Sequence, residues 1–231
     1  MIAIQRNQSL RQQAYKALRQ IILQGDLASG ERVVETKLAK QLRVSRTPIR
    51  EAIGQLQREK LIVSDANGSL RVATLSATDA TQLYDCRIAL EQISAADSCQ
   101  NITASQLKQL EEYVTLAEKA AQSPTNKADN LHLLDIDYQF HHLIAESSGN
   151  QWLLALLEQV FDKMTLLRVQ TTNSNPQVLE IRLEHRQIYR AIANGDSQLA
   201  RKTIVEHLTA SKVRVVKELE IINHDRSQSK S

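Results

Sequence analysis

The sequence predicts a mostly helical protein: an N-terminal winged helix-turn-helix with a small β-hairpin, followed by a C-terminal antiparallel all-α bundle. Helix breakers are scarce, because the chain has 6 glycines and 3 prolines in 231 residues, against an average usage of roughly 12% for the two together. Charge is uneven: residues 1–74 carry 13 Lys and Arg against 6 Asp and Glu, whereas residues 75–231 carry 16 against 20. We therefore expect a basic domain over 1–74, an acidic domain over 75–224 and a polar tail over 225–231.

Several classes of protein are excluded by composition. No apolar run approaches the ~18 residues that a membrane helix needs, and the first residues lack the apolar stretch of a signal peptide. Cys86 and Cys99 are thirteen residues apart, which fits neither a disulfide framework nor a thiolate zinc site. We expect a cytoplasmic protein without a membrane partner, in which both cysteines are small buried apolar side chains.

Three helices open the basic domain. The first covers about 10–24, because its apolar residues follow the helical period, and a short second helix covers about 35–42. After a tight turn at Arg43-Val44, Ser45 can cap a third helix that continues to about Arg58. Pro48 is tolerated in the first turn of that helix, where an amide has no acceptor within the helix.

A hairpin follows the third helix. Short apolar segments at 61–63 and 70–72 flank the residues 65–68. The pair Asn67-Gly68 favours a tight hairpin turn, since both residues accept positive φ. Helices joined by a short turn and followed by a hairpin, or wing, form a DNA-reading unit.

The third helix is the candidate DNA-reading element. Arg46 and Arg50 are four residues apart and share one face near its N-terminus, the end that enters the major groove first. Arginine can bind a guanine edge with two hydrogen bonds or clamp a phosphate. The alternative is that the pair is simply an exposed helix face. The predicted DNA-binding set is Arg46, Arg50, Thr47, Ser45, Thr36 and, on the wing, Asn67.

The sequence of the acidic domain predicts six helices and no strand. The helices cover about 76–99, 103–122, 128–148, 150–172, 177–194 and 196–222, and the breaks between them fall at 101–103, 123–124, 148–150, 173–176 and 194–196. Thr103 and Asp196 are suitable N-caps. Connections this short make successive helices antiparallel neighbours.

Four inward positions of this bundle offer metal ligands. Asp137 and His141 are four residues apart on one face of the third bundle helix. On the fifth helix His185 lies in the apolar stripe of Ile181, Ile188 and Ile192, and His207 lies between Ile204 and Ser211 on the sixth. One carboxylate and three imidazoles suit Zn, Ni, Mn or Fe. The alternative is a set of unrelated core histidines, each satisfied by a neighbour.

The basic domain resembles the DNA-binding domain of GntR-family bacterial regulators over about 8–74. The resemblance rests on the run Glu35-x-x-Leu38-Ala39-x-x-Leu42-x-Val44-Ser45-Arg46-Thr47-Pro48-Ile49-Arg50-Glu51-Ala52-Ile53-x-x-Leu56. Two departures are visible: Ser29-Gly30 replaces the usual Pro-Gly, and Lys60 stands where Gly is common. Neither touches the arginine pair, so the expected DNA binding is unaffected.

The acidic domain is similar to the FCD effector domain of the FadR subfamily, and its six helices resemble the VanR-like branch. The motifs that match are Asp137-x-x-Phe140-His141-x-x-Ile144-x-x-Ser147-Ser148-Gly149-Asn150, His185-x-x-Ile188-x-x-Ala191-Ile192-x-x-Gly195-Asp196-x-x-x-Ala200 and His207. The resemblance implies that Asp137 and the three histidines bind a metal. It also implies, through Arg87-x-x-Leu90-Glu91, that Arg87 anchors an effector carboxylate. The alternative for Arg87 is a surface ion pair with Glu91.

The resemblance predicts a regulator rather than an enzyme. It implies a homodimer, expected to be a repressor, on a palindromic double-stranded operator, with a divalent metal and a small organic acid in the bundle. The acid would act by its differential affinity for two conformations. Two other classes stay open at this point. One is a helical metalloenzyme with a His₃Asp site, and the other is an architectural DNA-binding protein with a structural metal.

Overall fold

The computed structural model describes residues 9–120, 127–172, 175 and 182–228. The chain divides into two units, Met1–Thr74 and Leu75–Ser231. Each unit has its own buried core, and each is described separately below.

The first unit is a winged helix-turn-helix. Its elements are α1 (Leu10–Leu23), α2 (Glu35–Leu42), α3 (Arg46–Arg58), β1 (Ile62–Ser64) and β2 (Leu70–Val72). The two strands are antiparallel, with Ile62 opposite Val72 and Ser64 opposite Leu70. The core is formed by inward residues of all these elements, among them Leu18, Ile22, Leu38, Ile49, Ile53, Leu56, Leu61, Ile62 and Val72. The predicted fold class is confirmed.

Ser45 does not cap α3 in the predicted way. Ser45 is the N-cap residue by position and has an extended backbone. Its side chain, however, makes no hydrogen bond to the backbone amides of the first turn of α3 among the described residues. A capping hydroxyl normally accepts from the second or third helical amide. Pro48 occupies the third position and has no N–H, so one of the two donors is missing.

The wing turn also differs from the prediction. Of the described loop residues only Gly68 has positive φ, at +76°, whereas Asn67 does not. The Gly68 amide donates to the Asp65 carbonyl, and the Asp65 carboxylate accepts from the amides of Asn67 and Ser69. The expected tight turn is therefore present over residues 65–68, but the expectation of positive φ at Asn67 is wrong. The Asp65 carboxylate, by accepting two backbone amides, favours a turn with one left-handed residue.

Two basic residues of this unit have a left-handed backbone. Arg43 has φ +54° in the turn between α2 and α3, and Lys60 has φ +57° just after α3. The amide of Leu61 donates to the carbonyl of Leu56 across Lys60, which closes the helix end. Such a position favours glycine, because a side chain there is strained. The replacement of Gly by Lys60 noted above therefore carries a conformational cost.

The second unit is a bundle of helices. They are α4 (Ala77–Asn101), α5 (Ala104–Ala120), α6 (Lys127–Ser147), α7 (Gln151–Thr172), α8 (Arg182–Ala193) and α9 (Ser197–Gln228). These six helices, counted over the described part of the chain, agree with the predicted number. The predicted break at 123–124 and residues 177–181 of the predicted fifth helix lie outside the described residues. α4 packs most extensively on α9, and both contribute to a core with α6, α7 and α8.

The starts of three bundle helices are closed by side chains. Ser76 and Asp79 form a reciprocal capping box at α4, and Thr103 and Gln106 exchange equivalent bonds at α5. The Asp196 carboxylate accepts from the Leu199 amide at α9. The expected caps at Thr103 and Asp196 are therefore present. α9 continues to Gln228 rather than ending at 222, since no Gly or Pro interrupts it.

The two cysteines of the bundle are more exposed than expected. Cys86 is exposed and Cys99 half-buried, so the expectation that both are buried is wrong. Tyr84 and Arg87 take the inward face of α4, which leaves Cys86 on the outer face.

Trp152, the chain's single tryptophan, is 85% exposed in the first turn of α7. Among the helices that the structure describes, none is long and apolar enough to cross a membrane.

Candidate metal centre and nucleic-acid interface

The two predicted DNA-reading arginines lie side by side on the surface of the first unit. The side chains of Arg46 and Arg50 are 59% and 63% exposed. Both bind Glu35, the first residue of α2: Arg46 Nη2 lies 3.3 Å from Glu35 Oε2, and Arg50 Nη2 lies 3.1 Å from the same oxygen. The start of α2 and the start of α3 therefore meet at one carboxylate.

The other predicted interface residues are all exposed. Ser45 and Thr47 flank Arg46 at the start of α3, and Thr36 follows Glu35 in α2. Asn67 lies on the wing loop, where its backbone amide donates to the Asp65 carboxylate. The start of α2 and the start of α3 thus bring three of the predicted residues, Ser45, Thr47 and Thr36, near the arginine pair, whereas Asn67 lies on the wing loop.

The four predicted metal ligands come together inside the second unit. Asp137 and His141 belong to α6, His185 to α8 and His207 to α9, and all four are buried. One ligand atom from each lies within 4.8 Å of the others. Metal–nitrogen bonds of about 2.0–2.1 Å place two ligands of one ion roughly 3 to 4 Å apart. The cluster could therefore hold a metal ion.

Two carboxylates orient two of the imidazoles. Glu91 Oε2 lies 2.5 Å from His141 Nδ1, and Glu184 Oε2 lies 2.7 Å from His207 Nδ1. A carboxylate beside Nδ1 favours the tautomer that has its proton there, which leaves the lone pair on Nε2. The Nε2 atoms of His141 and His207 then face each other at 3.3 Å. Two lone pairs at this distance repel unless a cation lies between them.

The remaining two ligands also present unsatisfied acceptors. Asp137 Oδ1 lies 3.4 Å from His185 Nε2, and neither atom has a hydrogen-bond partner among the described residues. Asp137 Oδ2, in contrast, is bound by Arg168. The His185 ring stacks on Phe140 with 4.1 Å between ring centroids, which fixes its plane. Buried acceptors without donors are costly, and a shared cation would satisfy all four.

Burial and neighbouring charges set the protonation of the cluster. Burial lowers the pKa of His141, His185 and His207, so all three are neutral at pH 7. Burial, the largest single effect, would raise the pKa of Asp137, but Arg168, the cluster histidines and Arg87 together outweigh it and hold that pKa well below its usual range. The result is one carboxylate and three neutral imidazoles, the forms that bind metals.

A cavity opens beside this cluster. It contains about 280 Å³ of unfilled space, part of it open to solvent, and Asp137, His141, Arg87, Arg168 and Tyr138 are among its lining residues. Arg87 is only 2% exposed and binds the buried Glu91. The ion pair that was considered for Arg87 therefore exists, but it is not on the surface. Arg87 also lies over the Phe161 ring, at 5.5 Å from its centroid.

Sequence reasoning missed three charged residues of this site: Arg168, and Glu91 and Glu184 as partners of the histidines. Arg168 could have been noticed, because it is the charged residue in the apolar run Leu166-Leu167-Arg168-Val169, where an unpaired charge is rarely buried. Glu184 directly precedes His185 but contacts His207 on another helix. No spacing in the sequence indicates that contact.

Comparisons with known proteins agree with both units. Residues 10–72 match the family model for bacterial regulatory proteins of the gntR family, and residues 82–210 match the FCD domain. The HTH-type transcriptional regulator YdhC of Bacillus subtilis is 30% identical over 195 residues, which cover 84% of this chain and 86% of that protein. The gluconate operon transcriptional repressor of Bacillus licheniformis is 27% identical over 81% of this chain and 77% of its own length.

A solved structure supports the fold. McbR/YncC of E. coli matches with a TM-score of 0.78 and 20% identity, over 91% of this chain and 98% of the other. The family models and the relatives confirm the predicted resemblance to a GntR DNA-binding domain followed by an FCD domain, and family members are transcriptional regulators rather than enzymes. The chain belongs to the GntR family of bacterial transcriptional regulators and combines its DNA-binding domain with an FCD domain.

Proposed function

We propose that this regulator binds a divalent metal ion through Asp137, His141, His185 and His207. The observation that carries the proposal is the convergence of four buried acceptors, two of them imidazole nitrogens 3.3 Å apart whose other ring nitrogens each face a carboxylate. Zn, Ni, Mn and Fe all accept this ligand set. A bound ion would supply a positive centre that a carboxylate ligand could join.

A small organic acid is the proposed effector, with Arg87 as its anchor. Arg87 and Arg168 both line the cavity beside the cluster, and guanidinium groups bind carboxylates through paired hydrogen bonds. Both arginines are already paired with carboxylates of the protein. An acid that binds there must compete with Glu91 or Asp137, so its binding is coupled to the residues around the metal ligands.

The winged unit is proposed to read a palindromic operator as part of a homodimer, with repression as the outcome. Arg46 and Arg50 are exposed at the N-terminus of α3, where the helix dipole favours approach to phosphates and the side chains can reach base edges. Repression is supported by the relative from B. licheniformis, which is named a repressor. Ser45, Thr47, Thr36 and Asn67 would add contacts.

The metal proposal is tested by elemental analysis and native mass spectrometry of gently purified protein. We expect one divalent ion per chain, a co-purified acid and a dimer mass. His141→Ala should lose the ion, whereas His142→Ala should keep it, because His142 lies on the outer side of α6 with a 25% exposed side chain. Protein that folds normally but neither contains nor takes up Zn, Ni, Mn or Fe would overturn the proposal.

The effector proposal is tested by a gel-shift assay on the DNA upstream of the chain's own gene, with and without a series of small organic acids. An acid that changes operator affinity in the wild type but not in Arg87→Ala supports it. A protein that binds DNA with little sequence preference and responds to no acid would instead be an architectural protein with a structural metal. If the protein does not bind this upstream DNA even at low salt, the proposal that the DNA contains its operator is contradicted.

A further inference from the structure

Glu35 is a carboxylate in the middle of the arginine pair of the DNA-binding unit. Its Oε2 accepts from Arg46 at 3.3 Å and from Arg50 at 3.1 Å, while its Oε1 accepts from Arg50 Nε at 3.3 Å. Arg50 thus makes a bidentate contact with both carboxylate oxygens, and Arg46 binds one of the same oxygens. One residue of α2 fixes two long side chains of α3.

Stability of the fold does not explain this arrangement. Both guanidinium side chains are more than half exposed, and ion pairs with such exposure contribute little to stability. A negative charge here is also unfavourable for the unit's main partner, because DNA presents phosphates to the same surface. The hydrogen bond from Arg50 lowers the pKa of Glu35, so the carboxylate is charged at neutral pH.

We infer that Glu35 is a positioning residue that makes Arg46 and Arg50 read bases rather than bind phosphates at random. Free arginine side chains can bind phosphates in many conformations. A shared carboxylate orders the two groups before DNA arrives, which reduces the entropy lost on binding. Its charge also disfavours complexes in which the arginines only approach the backbone, so it weakens non-specific binding more than specific binding.

This inference rests on the proposed role of Arg46 and Arg50, and the test separates the two. Full-length wild-type protein first selects duplexes from a random-sequence library. Dissociation constants of the wild type and of Glu35→Gln are then measured for one selected duplex and for a scrambled duplex of equal length, at several salt concentrations. We expect Glu35→Gln to bind the scrambled duplex more tightly and to lose roughly tenfold in the ratio of the two constants.

Three variants serve as controls. Glu51→Gln removes one exposed carboxylate from α3 itself and should leave the ratio near its wild-type value. Glu35→Asp keeps an acidic residue at the start of α2 but shortens its reach, so it should lose discrimination without lowering the melting temperature. Glu35→Gln introduced together with Arg50→Ala should change the ratio less than Glu35→Gln alone.

The outcomes are distinct. If Arg46→Ala and Arg50→Ala leave DNA binding unchanged, the proposed interface itself is wrong. If those variants weaken binding but Glu35→Gln keeps the wild-type ratio, only the positioning role of Glu35 is refuted. An equal fall of the ratio in Glu51→Gln would also refute it, because the effect would then come from net charge alone.

Discussion

Mild acid is expected to destabilise the metal-free protein steeply, because three histidines are buried in neutral form. Burial lowers the pKa of His141, His185 and His207 in the folded chain, whereas in the unfolded chain each takes up a proton near pH 6.5. The unfolded state therefore binds more protons than the folded state below that pH. By linkage, the free energy of unfolding falls as the pH falls through 6.5 and continues to fall below it.

The size of this effect follows from the number of groups. One proton difference is equivalent to about 1.4 kcal/mol per pH unit, so three neutral histidines give a slope of about 4 kcal/mol per unit below pH 6. Glu91 acts in the opposite direction, because burial raises its pKa and it takes up a proton earlier in the folded state. We therefore expect about 3 to 4 kcal/mol per pH unit, a large part of the total stability of a typical domain.

Urea unfolding of chelator-treated protein, followed by far-UV circular dichroism between about pH 6 and 5, where the histidines of the unfolded chain are mostly protonated, measures this slope. His185→Leu should reduce it by about one third, since it removes one titrating group whose ring nitrogens have no hydrogen-bond partner among the described residues. His142→Gln changes a partly exposed histidine of the same helix as His141 and is the control. A wild-type slope below about 1.4 kcal/mol per unit would refute the reasoning, because at most one histidine would then be held neutral.

Four further variants are predicted. Lys60→Gly should raise the free energy of unfolding of the winged unit by about 1 kcal/mol in chemical denaturation, because it relieves the left-handed backbone at φ +57°; a loss of stability would contradict this. Arg46→Ala should weaken operator binding in a gel-shift assay. The loss should be confined to the operator if Arg46 reads a base and equal on all sequences if it only binds phosphate. Glu184→Gln should weaken metal affinity by about tenfold or more in competition with a chelating dye, because His207 loses the carboxylate that orients it; unchanged affinity would show that the contact is incidental. Ser76→Ala should cost about 1 kcal/mol in thermal unfolding, through loss of the capping box of α4.

Much of the fold could be predicted because its signals are local. Helix breaks follow from the few Gly, Pro, Asn and Ser residues, and the period of apolar residues gives the inward face of each helix. Details that depend on two residues at once were missed. Pro48 removes one of the two donors that could bind Ser45, and the Asp65 carboxylate reshapes the turn that Asn67-Gly68 alone favours.

The candidate metal site shows the same difference between local signals, which the sequence carries, and contacts between distant residues, which it does not. The inward positions of Asp137, His141, His185 and His207 could be inferred from each helix separately, and the structure brings them together. Contacts between helices carry no such signal. The bond from Arg168 on α7 to Asp137 on α6 depends on how the two helices pack, as does the contact between Glu184 and His207.

The position of Trp152 has a practical consequence for spectroscopy. Its indole is already 85% exposed in the folded chain, so its fluorescence should change little when the bundle unfolds. The same indole should respond strongly to any surface that covers the first turn of α7. Intrinsic fluorescence is therefore a poor measure of denaturation in this protein, but a label-free reporter of association with another macromolecule.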